Sequence, residues 1–307
     1  MTTLTKEKWT IILAFIAIYV VWGSTYLAIR IGLNDLPPFM MSGLRFLIAG
    51  IILQAWCSWK GESLPDKNSI MRSVICGVLT LSGGVVSVVW AEQYLPSSLA
   101  AIIVTLLPFW FILLDKRQWS FYFSNRSIMA GLLLGFVGVS ILIGWGTASA
   151  IKINHTNEIA GVLVILCGGI AWTAGSLYSK YKPVKAPLIV NGSIQLIAAG
   201  ILCILVSWSA GEWKRFSFTG TNFSSWMALL YLVIMGSLVT YLSYLYLLRK
   251  MPPAQVSTYV YVNPVIAVLL GALMANESIG TTKIVALFVI LAGVLLVNLP
   301  KYQLRQH

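Results

Sequence analysis

The chain has 307 residues, 58% of them hydrophobic and 10% charged, with a formal net charge of +12. A soluble domain carries roughly 25% charged residues, so this composition excludes an ordinary water-soluble fold and suits lipid as the solvent. The basic residues are scattered between apolar segments and never gathered on one face, which speaks against a nucleic-acid surface and for charges that set membrane topology.

In chain order, "MTTLTKEKW" runs directly into an apolar stretch longer than the core of a signal peptide, with no small-residue cleavage pattern, so a retained first span is expected. A span needs about 20 apolar residues. Ten segments reach or approach that length: roughly 9–30, 36–59, 70–93, 97–115, 127–146, 158–180, 187–210, 225–248, 253–275 and 281–299. Connections such as "NDLPP", "YLPSS", "YKPVKAP" and "KMPPA" are short and punctuated by proline. No linker is long enough to separate soluble domains, and one compact helical bundle is expected. Cys57, Cys76, Cys167 and Cys203 fall inside apolar segments without CxxC spacing. They read as small buried hydrophobes, not as metal ligands or disulfide partners.

Orientation follows from Lys and Arg near the span ends. The N-terminus, the even-numbered loops and the C-terminal tail hold fifteen of the 21, including Lys6, Lys8, Lys116, Arg117, Lys180, Lys182, Lys185, Arg249 and Lys250. The odd-numbered loops hold five: Arg30, Lys152, Lys214, Arg215 and Lys283; Arg45 lies within a span. Both termini are therefore expected in the cytoplasm.

The sequence also resembles itself. Shifted by 156 residues, "YLPSSLAAIIVTLLPFW" falls on "KMPPAQVSTYVYVNPVI", with Pro96 on Pro252 and Pro108 on Pro264. Shifted by 150, "PPFMMSGLRFLIAG" falls on "PLIVNGSIQLIAAG" and Trp22 on Trp172. Two repeats, 1–150 and 151–307, would each hold five spans. Five is odd, so the second repeat must be inverted, and a secondary transporter with its site near the midplane is the expected architecture.

The strings "VWGSTYLAIRIG", "PPFMMSGLRFLIAG", "SYLYLLRKMPPAQVSTYVYVNPVIAVLLG" and "NESI" resemble the EamA branch of the drug/metabolite transporter superfamily over about residues 10–300. Within it they look most like the YedA-type bacterial inner-membrane exporters. The resemblance implies an all-α membrane protein of ten transmembrane helices in two inverted five-helix repeats. It also implies a bacterial inner-membrane location with both termini cytoplasmic, and export of small metabolites such as amino acids, or of drugs. One departure is that "NES" with Glu277 in the second repeat has only "LDKRQ" as counterpart in the first, so no symmetric role for Glu277 follows.

Polar residues inside spans need a reason, because a charge there costs roughly 3 kcal/mol by insertion scales. Arg45 lies about eight residues from the outer end of its span and matches Gln195 in the repeat. It either holds a substrate carboxylate in a fork or bonds helix-end carbonyls and locks neighbouring spans. Glu92 ends the third span, and the resembling exporters carry Glu at the matching place. It is the candidate for proton coupling, ahead of Asp115 at the end of the fourth span and Glu277; the alternative for each is a merely solvated span end. Most Trp residues sit near span ends, as an interfacial belt should, but Trp22, Trp110 and Trp172 do not.

Trp22 with Tyr26, and Trp172 with Ser176, share helix faces and are expected to point inward, in a pocket or as helix packing. Tyr259 and Asn263 also share a face. Pro264 removes a backbone donor from the carbonyl of Val260, and Pro108 does the same in the first repeat. This makes either a local break in a polar-aromatic pocket or a simple kink. The substrate-binding candidates are thus Trp22, Tyr26, Arg45, Trp172, Ser176, Gln195, Tyr259 and Asn263.

No P-loop is present, and the two histidines, His155 and His307, lie in a loop and at the terminus. ATP-driven transport, a metal site and His-based catalysis are therefore not expected, nor is any cofactor. The expected partners are a small-molecule substrate and the bilayer, for a monomer or homodimer that is not an enzyme. A lipid-head-group flippase and a non-transporting scaffold or sensor are the alternatives. The charge distribution predicts that reporter fusions after Gly61 and Lys301 read as cytoplasmic and fusions after Thr147 and Thr221 as external. A cytoplasmic reading at Thr147 would break both the span count and the inversion.

Overall fold

The computed structural model describes residues 3–95, 97–147, 156–214, 216–266 and 281–298. Pro96, Lys152, His155, Arg215, Glu277 and His307 lie outside the described residues, as does the second half of the expected ninth span. Within them the chain is 85% helical with no strand. The long helices are α1 (Glu7–Gly32), α2 (Pro38–Trp59) and α3 (Lys67–Ala91). The expected fourth span is two helices, α4 (Ser97–Val104) and α5 (Leu107–Leu114). There follow α6 (Trp119–Ser124), α7 (Arg126–Thr147), α8 (Thr156–Tyr181), α9 (Leu188–Ser209) and α10 (Phe223–Lys250). The last are α11 (Pro253–Val256), α12 (259–266) and α13 (Thr281–Asn298).

Among the described residues, six helices, α1, α2, α3, α8, α9 and α10, are long and apolar enough to cross a membrane. The other four expected spans are met by shorter or interrupted helices or run beyond the described residues. The outer surface is apolar, with Ile51, Leu163, Leu205 and Phe288 more than half exposed. Among the indoles, Trp9, Trp56, Trp59, Trp208 and Trp213 are exposed near helix ends, whereas Trp22 and Trp172 are buried. Cys57, Cys76 and Cys203 are buried and unpaired, but Cys167 faces outward on α8. An apolar environment does not distinguish an inward from a lipid-facing thiol, so sequence alone could not place it.

Local signals set the helix ends. Pro38 opens α2 at the first helical position, where its missing N–H costs nothing. Asp66 caps α3 by accepting from the Ser69 amide at 3.1 Å and the Ser69 hydroxyl at 2.7 Å. Gly61 and Gly211 follow α2 and α9 at φ of 73° and 70°, the left-handed conformation that lets the chain turn away from a helix end. In the turn after α1, Asp35 accepts from the Asn222 amide at 3.1 Å and the Ser225 hydroxyl at 2.5 Å, tying that turn to the start of α10. The Ser225 hydrogen bond, helped by Asn222, holds the Asp35 carboxyl below its usual range. The staple is therefore at full strength above that range and is lost as pH falls through the folded value.

Helices in lipid gain little from burying apolar area against each other, so association depends on close backbone approach. The pair α2 and α9 does this with residues 150 apart in sequence. A Cβ on Gly50 would stand 2.7 Å from Ile197 Cγ1 and 2.9 Å from its backbone nitrogen; a Cβ on Gly200 would stand 2.7 Å from Leu47 Cγ and 2.8 Å from its nitrogen. Gly43 meets Ile204, and its counterpart Ser193 donates to Gln54 Oε1 at 2.9 Å, Gln54 being the counterpart of Ile204. The contact is thus nearly self-complementary. Elsewhere α7 packs on α13, α3 on α8 and α1 on α10.

Both α3 and α10 widen into eight-residue π-helical segments, Val78–Val85 and Leu232–Val239, at matching distances along the chain. The wider turn frees carbonyls, and side chains take them up: Ser87 donates to Gly84 O at 2.6 Å and Thr240 to Met235 O at 2.6 Å. The interruption before α12 falls at Ser257–Thr258, six residues ahead of Pro264, where the helix continues. Ser257 and Thr258 donate back to the carbonyls of Ala254 and Gln255, at 2.9 and 2.7 Å, and compete with the backbone ladder. In the fourth span the interruption at Thr105–Leu106 lies just ahead of Pro108.

Substituting Gly50→Leu should separate α2 from α9 and cost about 1–3 kcal/mol or more. Thermal unfolding of the purified protein in detergent should show a clear loss, with none for Ile51→Leu on the lipid face. Equal stability of the two variants would refute the close crossing.

Candidate functional site

The two inward indoles meet. Trp22 on α1 and Trp172 on α8 have ring centroids 5.5 Å apart in an edge-to-face arrangement. Tyr244 of α10 lies 5.4 Å from Trp22 and 4.9 Å from Trp172, and Tyr259 of α12 lies 4.6 Å from Trp22. Offset and edge-on contacts of this kind are the favoured geometries for aromatic pairs. The π-helical segments make room for the rings. Trp22 Nε1 donates to Gly236 O at 3.4 Å, and a Cβ on Gly84 would stand 2.8 Å from Trp172 Cε3. Each indole thus lies against the glycine of a widened turn.

Beside this cluster lies a cavity of about 100 Å3, walled by Trp22, Tyr26, Arg45, Trp172, Tyr259 and Asn263, with Trp110, Thr25, Ser87, glycines and aliphatic side chains completing it. Six of the eight predicted binding residues therefore share one wall. The other two stand off it. Ser176 holds Tyr244 in place, its Oγ 2.6 Å from the Tyr244 hydroxyl while donating to Trp172 O at 2.7 Å. Gln195 is buried in a separate chain: its Oε1 accepts from Tyr241 at 2.5 Å and its Nε2 donates to Asn191 Oδ1 at 2.9 Å. Ser73 reaches the same Asn191 oxygen at 2.7 Å, and Thr80 lies 3.0 Å from the Tyr241 hydroxyl. Equal depth in two repeats did not give Arg45 and Gln195 the same surroundings.

The polar groups on the wall are few. Arg45 is 4% exposed and its Nε donates to Ser237 Oγ at 2.8 Å. Its guanidinium lies on Gly236, where a Cβ would come within 2.6 Å of Nη2. Among the described residues Arg45 makes no ion pair. Asn263 is 2% exposed, and its Oδ1 has no partner among the described residues. Glu92 is buried at the end of α3.

Sequence reasoning missed Tyr244 altogether, whose only signal is its spacing of three from Tyr241. It set Trp110 aside as an indole away from the interfaces without giving it a place. It also gave no sign of Gly84 and Gly236, whose importance is a matter of helix width.

The arrangement can hold a small molecule with an apolar or flat body, one hydrogen-bond donor toward Asn263 Oδ1, and an anionic group toward Arg45. A buried cation without a protein counter-ion is costly, and so is an unpaired amide oxygen; both costs fall when a ligand supplies the missing partner.

Comparison with known proteins points the same way as the geometry. The model of the EamA-like transporter family matches residues 8–144 and 159–299. The chain is 35% identical over 291 residues to the uncharacterized inner membrane transporter YedA of Escherichia coli K12, covering 94% of this chain and 90% of that one. It is 27% identical over 298 residues to an uncharacterized transporter encoded in the trpA 3′ region of Buchnera aphidicola, with 96% and 94% covered. A crystal structure of a protein 19% identical superposes with a TM-score of 0.75, over 95% of this chain and 97% of that one, and supports the fold.

In a background lacking the four native cysteines, Asn263→Cys should react with a small water-soluble thiol reagent. Phe111→Cys, buried away from the cavity, should not. Equal inertness at both positions would mean that the cavity is closed to water.

Proposed function

The chain belongs to the EamA-like transporter family, and we propose that it is a secondary exporter of small metabolites (amino acids or related compounds) or drugs across the bacterial inner membrane. In this reading two inverted five-helix halves, 1–150 and 151–307, alternate access to one midplane site, with both termini cytoplasmic. The two family matches, at 8–144 and 159–299, support the division. So do the self-complementary crossing of α2 on α9 and the matching π-helical segments.

The observation that carries the substrate reading is Arg45. It is a buried guanidinium on the cavity wall, hydrogen-bonded through Nε to Ser237 and lying over the Phe46 ring, with no carboxylate in an ion pair with it among the described residues. Its remaining N–H groups suit a carboxylate in fork geometry. The aromatic rings offer flat apolar contact to the body of such a substrate, and Asn263 Oδ1 accepts from a donor such as an amine. Glu92, buried at the end of α3, is the group that carries a coupling proton. Protonation of its carboxylate from one side of the membrane and release to the other would link transport to the proton gradient.

Arg45→Lys keeps the charge but loses the planar fork. Export of carboxylate-bearing compounds by cells challenged with toxic amino acid analogues should fall about tenfold, the equivalent of one charge-assisted hydrogen bond of roughly 1.5 kcal/mol. Accumulation in the membrane should be unchanged. Normal export by Arg45→Lys, with Arg45→Ala failing to accumulate, would make Arg45 a structural tie between helices and remove it from the site.

A further inference from the structure

Two cationic side chains end helices that correspond in the repeat, and they are found in opposite conditions. Lys180 stands in the last turn of α8, and its Nζ donates to Leu248 O at 2.7 Å and Met251 O at 2.9 Å, at the end of α10. Arg30, 150 residues earlier, stands in the last turn of α1, exposed, and makes no hydrogen bond or ion pair among the described residues. It borders an open polar mouth of about 600 Å3 together with Asn34, Glu92, Tyr94, Leu95 and Glu158.

The correspondence extends to what each cation faces. The carbonyls that Lys180 caps belong to the residues four and one before Pro252; the residues four and one before Pro96 are Glu92 and Leu95. Both border the mouth beside Arg30. The end with Lys180 is closed, and a second contact reinforces it. Asp115, 1% exposed, accepts from Tyr181 at 2.6 Å and from Tyr122 at 3.0 Å. Among the described residues the end with Arg30 is open.

We propose that Lys180 and Arg30 are paired gate residues. Each closes its own end by capping the final carbonyls of a neighbouring helix, α10 for Lys180 and α3 for Arg30, and the two are seated in alternation. The inference rests on the reading of the chain as an alternating-access transporter with inverted halves. The last carbonyls of a helix carry the negative end of its dipole, so a cation seated there is favoured, and more so once closure removes water. At the outer end the Glu92 carboxylate adds an ion pair to the cap. At the inner end a leucine occupies that position, and the Asp115 contacts act in its place.

Spin-label distance measurements in liposomes read this directly, independently of substrate. In a cysteine-free background, one pair at Asn34 and Tyr94 reports the outer mouth, and a second pair at Lys182 and Lys116 reports the inner end. Lys180→Met should lengthen the inner distance and shorten the outer one, changing the ratio of the two states about tenfold or more. Lys180→Arg should keep the wild-type distribution, and Arg30→Met should hold the outer mouth open. The gate assignment is overturned if the two distances vary inversely in the wild type but ignore both methionine variants, or if Arg30→Met closes the outer mouth. If the distances never vary inversely in any variant, the alternating-access reading fails with it.

Discussion

The close crossing of α2 over α9 is the contact on which the rest of the structure depends. In lipid, two helices have no apolar area to hide from water, and what holds them is the distance to which their backbones approach. Gly50 and Gly200 set that distance by presenting nothing where a methyl group would strike the other helix's backbone nitrogen. With α2 pinned there, Arg45 on the same helix is carried against Gly236 and Ser237 of α10, and only a glycine admits a guanidinium so near the backbone. The widening of α10 at that point is what presents Gly236 O to the Trp22 indole. One sub-van-der-Waals tolerance at a helix crossing thus propagates to the placement of the site.

The same economy governs the polar groups. In the bilayer every donor and acceptor must find a partner within the protein. The chain Ser73, Asn191, Gln195, Tyr241 and Thr80 satisfies its members almost completely and leaves no group turned to the cavity. Arg45 and Asn263 are left incompletely matched on the cavity wall.

Much of the fold was legible in the sequence because hydropathy, length and proline punctuation act locally. Six of the expected spans are single long helices, and Trp22 and Trp172 are buried against each other as their distance from the interfaces suggested. Breaks or kinks were expected at Pro108 and Pro264 in the spans 97–115 and 253–275; the interruptions lie ahead of those prolines, at Thr105–Leu106 and Ser257–Thr258. In the ninth span the interruption comes from Ser257 and Thr258 bonding back to their own helix, a subtler signal than Pro264. Gln195 was paired with Arg45 by the repeat, but its partners are Tyr241 of α10 and Asn191 of its own helix, and no single-chain pattern records which neighbours surround a side chain. Tyr244 was overlooked for the same reason: its role depends on two indoles from other helices.

The tightly fastened end carries a quantitative consequence. In the proposed gating, Lys180 and Asp115 make that end the costlier one to open, which would leave conformations exposing the cavity on that side a small fraction of the population. A ligand arriving there binds with an apparent affinity lowered in proportion to that fraction, so that an opening of about 1% raises the half-saturating concentration about a hundredfold. For an exporter with the proposed orientation, that ligand would come from the cytoplasm. Such a protein would stay nearly idle at ordinary metabolite levels and respond almost in proportion as they rise, in the manner of an overflow valve. It would spare the cell a steady leak of compounds it has just made.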